Sequence, residues 1–169
     1  MSTKVLEPVR GTERLLTAFH EAGHAVMAQL CGHQITRVEI EGDAERTGST
    51  SSLRYRPDPL EVVDPAMPTA HLERRLLCIL AGSTAEAMVG GSPAWDEGAP
   101  EIGEAVRLAL RVVGDCAEVL PYLERARDLV DELLRRHWDA VEIVGQALVD
   151  RGELTGSEVR RLVAPYLPT

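Results

Sequence analysis

The sequence predicts a mainly α-helical domain with one small β-hairpin. Three observations predict this fold class: apolar residues recur at helical spacing over several long stretches, a β-branched stretch follows the first of them, and glycine or proline separates the stretches. A chain of 169 residues is long enough for one hydrophobic core and short for two. We therefore expect an N-terminal tail over residues 1–10 and a single domain over residues 11–169.

The first helix is expected from about Glu13 to Leu30. Gly11 precedes it, Thr12 is a suitable N-cap, and Gly32 should end it. An apolar stripe at helical spacing supports this helix independently of its polar residues. The stripe consists of Leu15, Phe19, Ala22, Val26 and Leu30.

A small hairpin is expected after the first helix. The stretch Ile35–Glu41 is rich in β-branched residues, and a second strand is expected over Ser49–Tyr55, after turn-like glycines. Such a strand pair could bind an extended peptide along its edge, or it could simply cover the core. Residues 56–68 contain four prolines and no apolar period, so we expect a loop there.

Further helices are expected over Thr69–Val89, from Pro100 onward, and over a long stretch from Pro121 to Asp150. A capping box formed by Thr155 and Glu158 should begin a last short helix. The third helix should bury Ile102, Ala105, Val106, Ala109, Val112 and Val113. The fourth should bury Val130, Leu133, Leu134, Val141, Val144 and Leu148.

The composition excludes some classes of protein. A net charge of −9, with Lys4 as the only lysine, argues against a nucleic-acid partner, because phosphate contacts need a basic surface. The three cysteines, Cys31, Cys78 and Cys116, form no C-x-x-C pair and are typical of reduced core residues. No signal peptide or membrane-spanning stretch is recognisable, so we expect a soluble, cytoplasmic chain with no membrane partner.

The first helix carries an H-E-x-x-H motif, formed by His20, Glu21 and His24. Residues four apart lie on one face of a helix, so the two imidazoles can hold one Zn²⁺ and leave coordination positions open. Glu21 projects beside them and can act as the general base. The small residues inside the motif keep the helix thin, so that a neighbouring element can approach closely. The alternative is a pair of partly buried structural histidines.

A catalytic zinc of this kind needs a third protein ligand from elsewhere in the chain. The dense acidic cluster formed by Asp96, Glu97, Glu101 and Glu104 offers candidates. Glu101 lies in the first turn of an expected helix, which gives it a rigid position near the core. The alternative for any acid at a helix N-terminus is a solvated side chain. His137 is more typical of a structural residue, because no second ligand is suitably spaced.

Three stretches resemble the peptidase domain of the FtsH family of ATP-dependent zinc metalloproteases. They are residues 17–26, 80–86 and 140–163, and the resemblance covers the chain from about Gly11 to Val163. It implies a compact helical, zincin-like metallopeptidase domain. It also implies that His20 and His24 bind zinc and that Glu21 is the catalytic carboxylate.

The resemblance also indicates the third ligand. The family has an aspartate before an isoleucine at the start of a helix, and residues 98–105 match that setting with Glu101 in place of the aspartate. Glu101 is therefore the expected third ligand, ahead of Asp96 and Glu97. Its extra methylene has to be accommodated by a shift of the helix or by a different rotamer.

The expected function is that of a zinc-dependent metalloendopeptidase acting on peptides or unfolded protein segments. The chain lacks a P-loop lysine, so we expect a freestanding peptidase that hydrolyses no ATP, with a separate ATPase as an optional partner. The family assembles as hexameric rings, and the oligomeric state of this chain stays open. Two alternatives are a pseudopeptidase that acts as a binding or regulatory module and a zinc hydrolase of a non-peptide amide.

Overall fold

The computed structural model describes residues 10–40, 67–91 and 100–168, and it confirms the mainly α-helical prediction. The elements are α1 (Arg10–Leu30), β1 (Arg37–Glu39), α2 (Thr69–Met88), α3 (Pro100–Val113), α4 (Cys116–Arg136), α5 (Trp138–Arg151), β2 (Glu153–Thr155) and α6 (Gly156–Val163). None of the described helices is both long and apolar enough to cross a membrane.

Helix α1 lies at the centre of the fold. It packs against α2 on one side and α5 on another, and it also contacts α4, α6 and β1. Its buried residues include Ala18, Ala22 and Val26, so the predicted apolar stripe is confirmed. The helix begins earlier than expected, at Arg10, so Thr12 lies inside the first turn and the prediction that it caps the helix is wrong.

Helices α1 and α2 run antiparallel and approach closely. His20 contacts Glu86, whereas His24, one turn later in α1, contacts Cys78, which lies two turns earlier in α2. A Cβ atom at Gly23 would lie 2.5 Å from the carbonyl oxygen of Ala81, so only glycine permits this spacing. The expectation that a thin helix admits a close neighbour is therefore confirmed.

The prediction of one long helix over Pro121–Asp150 is wrong. Helix α4 begins at Cys116, where the Asp115 side chain accepts a hydrogen bond of 2.9 Å from the Ala117 N–H, and Pro121 lies inside the helix. The helix ends at His137, whose φ of −115° and ψ of 29° are not helical, and α5 follows directly. The predicted inward residues lie in the core, with Leu133 only partly buried.

The two strands form a small antiparallel ladder in which Arg37 pairs with Thr155 and Val38 with Leu154. The expected partner strand, Ser49–Tyr55, lies outside the described residues. The sequence indicated no strand at the position of β2, although it did predict the capping box of Thr155 and Glu158, which is present at the start of α6.

Two side chains that were predicted to be buried are exposed. Val106 lies on the outer side of α3 and is 40% exposed, because Ala105, Leu108 and Ala109 form the buried face of that helix. Cys116 is exposed at the first position of α4, so its interpretation as a core residue is wrong. Cys31 and Cys78 are free thiols packed against the core, as expected.

Candidate metal centre

Helix α1 presents the two predicted histidine ligands on its α2-facing side. The side chains of His20 and His24 are 15% and 12% exposed, and their Nε2 atoms lie 3.1 Å apart. The four-residue spacing places the rings one turn apart, and both rings are hydrogen-bonded to groups of α2. The two predicted ligands therefore meet at one point near the surface.

Glu101 joins these histidines from α3. It is the second residue of that helix, and its Oε1 atom lies 3.3 Å from Nε2 of His20 and 3.3 Å from Nε2 of His24. Glu104, one turn further on, instead accepts a hydrogen bond of 2.9 Å from Arg75. Asp96 and Glu97 lie outside the described residues. Within the described part of the chain, His20, His24 and Glu101 form the group whose atoms could hold a metal ion.

The outer nitrogens of both rings have acceptor partners on α2. Nδ1 of His24 lies 2.7 Å from the carbonyl oxygen of Cys78, which can only accept, so this nitrogen donates. Nδ1 of His20 lies 3.0 Å from a carboxylate oxygen of Glu86. In the neutral rings, the Nε2 lone pairs therefore point inward. Partners of this kind fix the tautomer and orientation of metal-binding histidines.

The three inward atoms have the chemistry and the spacing of a zinc site. A tetrahedral zinc with bonds of about 2.0–2.2 Å to nitrogen and oxygen separates its ligand atoms by roughly 3.3–3.5 Å. The separations here are 3.1, 3.3 and 3.3 Å. Two neutral nitrogens and a carboxylate oxygen at these distances repel one another unless a cation lies between them. Three protein ligands also leave a fourth position open, as catalytic zinc sites require.

The electrostatics of the metal-free cluster also favour a cation. Burial lowers the pKa of His20, but hydrogen bonds to Glu101 and Glu86, together with the charges of Glu101 and Glu21, raise it to about 10. Burial raises the pKa of Glu101, yet its contacts with both histidines hold that pKa well below its usual range. In the metal-free cluster the surroundings of His20 therefore favour its positively charged form.

Gly82 leaves the space that a bound ion would need. A Cβ atom at this position of α2 would lie 2.7 Å from Nε2 of His20 and still closer to Nε2 of His24. Any side chain larger than hydrogen would therefore push into the point where the two imidazoles converge. Sequence reasoning included Gly82 and Glu86 in the stretch 80–86 but gave neither a role. Their spacing of four residues, which places both on one face of α2, was the available signal.

Glu21, the predicted catalytic carboxylate, is almost completely buried, with 1% of its surface exposed. It follows His20 directly in α1, and its charge is one of those that raise the pKa of His20. The structure therefore places this carboxylate in the electrostatic environment of the three candidate ligands. A carboxylate beside the ligands is the kind of group that can act as a general base.

Comparisons with known proteins find similarity to peptidases. A family model described as Peptidase M50B-like matches residues 1–60, which include all of α1. The chain is 26% identical over 181 residues to the ATP-dependent zinc metalloprotease FTSH 9, chloroplastic/mitochondrial, of Oryza sativa subsp. japonica, covering 91% of this chain and 22% of that protein. It is 26% identical over 196 residues to the ATP-dependent zinc metalloprotease FtsH of Opitutus terrae, covering 95% and 31%.

A third relative is the ATP-dependent zinc metalloprotease FTSH 11, chloroplastic/mitochondrial, of Arabidopsis thaliana, with 25% identity over 194 residues, covering 93% of this chain and 23% of that protein. The chain spans between about a fifth and a third of the length of these relatives. The similarity therefore concerns only a part of much longer proteins, and it covers nearly all of the present chain.

Proposed function

We propose, on the premise that this chain is an FtsH-like peptidase domain, that it is a zinc metalloendopeptidase. The single observation that carries the proposal is the convergence of Nε2 of His20, Nε2 of His24 and Oε1 of Glu101 within 3.1–3.3 Å of one another. The relatives are named as zinc metalloproteases, which supports zinc as the metal.

In this proposal His20, His24 and Glu101 hold the metal and Glu21 moves the proton. When bound, zinc polarises a substrate carbonyl and lowers the pKa of a water molecule. Glu21 accepts the proton of the attacking water and returns it to the leaving amine. Glu86 and the Cys78 carbonyl keep the two imidazoles oriented during these steps, because each holds an Nδ1 atom.

The glutamate at the position where the family has an aspartate is one argument for a pseudopeptidase. The geometry weakens that argument, because Oε1 of Glu101 reaches 3.3 Å from both Nε2 atoms despite its extra methylene. We therefore favour the active enzyme over the pseudopeptidase.

The substrate is proposed to be a peptide or an unfolded protein segment. The enzyme is proposed to act in the cytoplasm. The relatives are named as ATP-dependent, so an ATPase is proposed as an optional partner that would deliver unfolded chains. On this proposal, peptides and already unfolded proteins are cleaved without ATP.

The test combines metal content with turnover. Protein purified without chelators and supplemented with zinc should hold about one zinc per chain by elemental analysis. It should cleave fluorescently labelled, unfolded casein, lose that activity with 1,10-phenanthroline and regain it on adding zinc. Absence of bound zinc after supplementation would refute the metallopeptidase. Stoichiometric zinc without turnover on any unfolded substrate would favour the pseudopeptidase instead.

A further inference from the structure

An ion pair joins α2 to α3 one helical turn beyond the third candidate ligand. Arg75 of α2 donates a hydrogen bond of 2.9 Å from Nε to Oε1 of Glu104 in α3, and its Nη2 atom donates to the same oxygen. The two side chains are 22% and 34% exposed, so the pair is partly shielded from water. Neither residue belongs to the group of three candidate metal ligands.

Glu104 is coupled to the third ligand through the helix that carries both. Glu101 and Glu104 are three residues apart in α3, so they are neighbours on one helix surface, with Cβ atoms about 5–6 Å apart. A contact that holds the Glu104 carboxylate therefore also holds the first turn of α3. From this turn Glu101 reaches Nε2 of both histidines at 3.3 Å.

Arg75 lies on the face of α2 that orients the histidines. It comes three residues before Cys78, whose carbonyl oxygen accepts the hydrogen bond from Nδ1 of His24. It comes eleven residues before Glu86, which contacts Nδ1 of His20. Positions separated by three and by eleven residues fall on one side of a helix. The same face of α2 thus orients two ligands and binds the helix that supplies the third.

The apolar packing of α3 determines its position along α2 only weakly. The buried apolar residues of α3 are Ala105, Leu108 and Ala109, so two of the three are alanines. Small side chains make few interlocking contacts, whereas a hydrogen bond between charged groups depends on both distance and direction. A displacement of α3 by one residue, about 1.5 Å, exceeds the roughly 0.5 Å that a functional site tolerates.

We propose that the ion pair of Arg75 and Glu104 positions the third metal ligand, because it holds α3 against α2 in the register in which Glu101 reaches both histidines. Arg75 and Glu104 are positioning residues, since they act through Glu101. The inference rests on the proposed function only in that Glu101 binds the metal. The contact between Glu101 and the histidines can also be measured without a metal.

Arg75→Gln and Glu104→Gln each remove the ion pair and leave a neutral polar side chain. Competitive zinc titration should show an affinity about 10-fold lower for either variant, as for other losses of a group that orients a ligand. All three ligands remain, so each variant should still hold about one zinc per chain at saturating zinc. The melting temperature of the metal-free protein should change little, because a partly exposed ion pair contributes little to stability.

The double variant shows whether the contact itself is responsible. If Arg75 and Glu104 act through each other, the variant with both substitutions should lose about 10-fold in zinc affinity, rather than the roughly 100-fold expected from two independent effects. Arg136→Gln is the matched control, because it breaks an exposed ion pair with Glu132 within α4. This control should bind zinc like the parent protein.

The metal-free protein provides a second readout. Glu101 contacts the rings of both histidines, so a displaced α3 should shift the NMR signals of those rings. We expect this shift in Arg75→Gln and in Glu104→Gln, but not in Arg136→Gln. If Arg75→Gln folds poorly, Glu104→Gln applies the same test.

The proposal is overturned if the single variants keep the zinc affinity of the parent protein, or if their losses add in the double variant. It is also overturned if the histidine signals of the metal-free single variants match those of the parent. A parent protein that binds no zinc would contradict the proposed function alone, since the histidine signals of the metal-free variants still decide the inference.

Discussion

Replacing Gly82 with alanine tests whether a metal binds where the three donor atoms converge. The new Cβ would lie 2.7 Å from Nε2 of His20 and closer still to Nε2 of His24. Ordinary contact begins near 3.4 Å, so at least one ring has to retreat by about 0.7 Å or more, beyond the roughly 0.5 Å that a functional site tolerates. The imidazoles would then no longer point at one centre with Glu101.

The expected loss for Gly82→Ala is at least about 100-fold in zinc affinity, which corresponds to about 2.7 kcal/mol. Isothermal titration with a competing chelator measures this affinity, and casein cleavage should fall with it. The fold should survive, because alanine favours the helical state over glycine by about 1 kcal/mol, which offsets part of the strain in α2.

Gly103→Ala is the matched control for this experiment. Gly103 is also helical and exposed, and its nearest neighbour to an added Cβ is an Arg107 nitrogen at 3.6 Å. This variant should bind zinc like the parent protein while gaining a similar helix-propensity effect. If Gly82→Ala also bound zinc with the parent affinity, the metal would not lie between His20 and His24, and the site assignment would be refuted.

Four further results are expected. Glu21→Gln should keep its zinc while peptide turnover falls roughly 10²–10⁴-fold, because only the proton acceptor is lost; equal loss of metal would contradict that role. Glu101→Ala should lose zinc, whereas Glu104→Ala should retain it, as measured by elemental analysis; the reverse result would exclude Glu101 as the third ligand. Glu86→Ala should weaken zinc binding about 10–100-fold by freeing Nδ1 of His20, and Glu86→Gln, which can still accept, should recover part of the affinity in the same titration. In the presence of a chelator, the melting temperature should fall as pH rises from 6.5 towards 10. The reason is that folding raises the pKa of His20, so its stabilising effect is fully present below the pKa of the unfolded state and is lost as pH rises through the pKa of the folded state. His20→Gln should reduce this slope.

The ligands on α1 could be predicted from sequence because their geometry is local. A helix alone places His20 and His24 on one face, and the apolar stripe was sufficient evidence for the helix. Glu101 was a different case. Pro100 marked the start of α3, but sequence reasoning from the residues left several acids open, and only the family resemblance selected one. Its contact with both histidines depends on how α3 docks, which no local pattern encodes.

The groups that support the ligands could not be predicted, because they depend on the register between α1 and α2. Glu86, Cys78 and Gly82 reach the histidines only in the antiparallel arrangement of the two helices. A carbonyl acceptor such as that of Cys78 leaves no trace in the side-chain pattern.

The break between α4 and α5 was missed for another reason. No glycine or proline marks it, and the apolar period continues through His137 because Val130 and Leu134 before it face the same core as Val141 and Val144 after it. Periodicity therefore reported which residues are buried but not where the helix ends. Strand β2 is only three residues long, and its partner β1 lies far away in the sequence, so its pairing is set by tertiary structure.

The close packing of α1 on α2 explains how three helices can build one metal centre. Gly23 lets the helices approach, so that groups of α2 can hydrogen-bond to both Nδ1 atoms. Gly82, which has no side chain, leaves room beside the two Nε2 atoms. The third ligand comes from α3, so a metal bound at these atoms would cross-link α1 to α3. Binding energy of this kind stabilises only the docked arrangement, by mass action. Zinc affinity should therefore report the docking of α3 as well as the identity of the ligands.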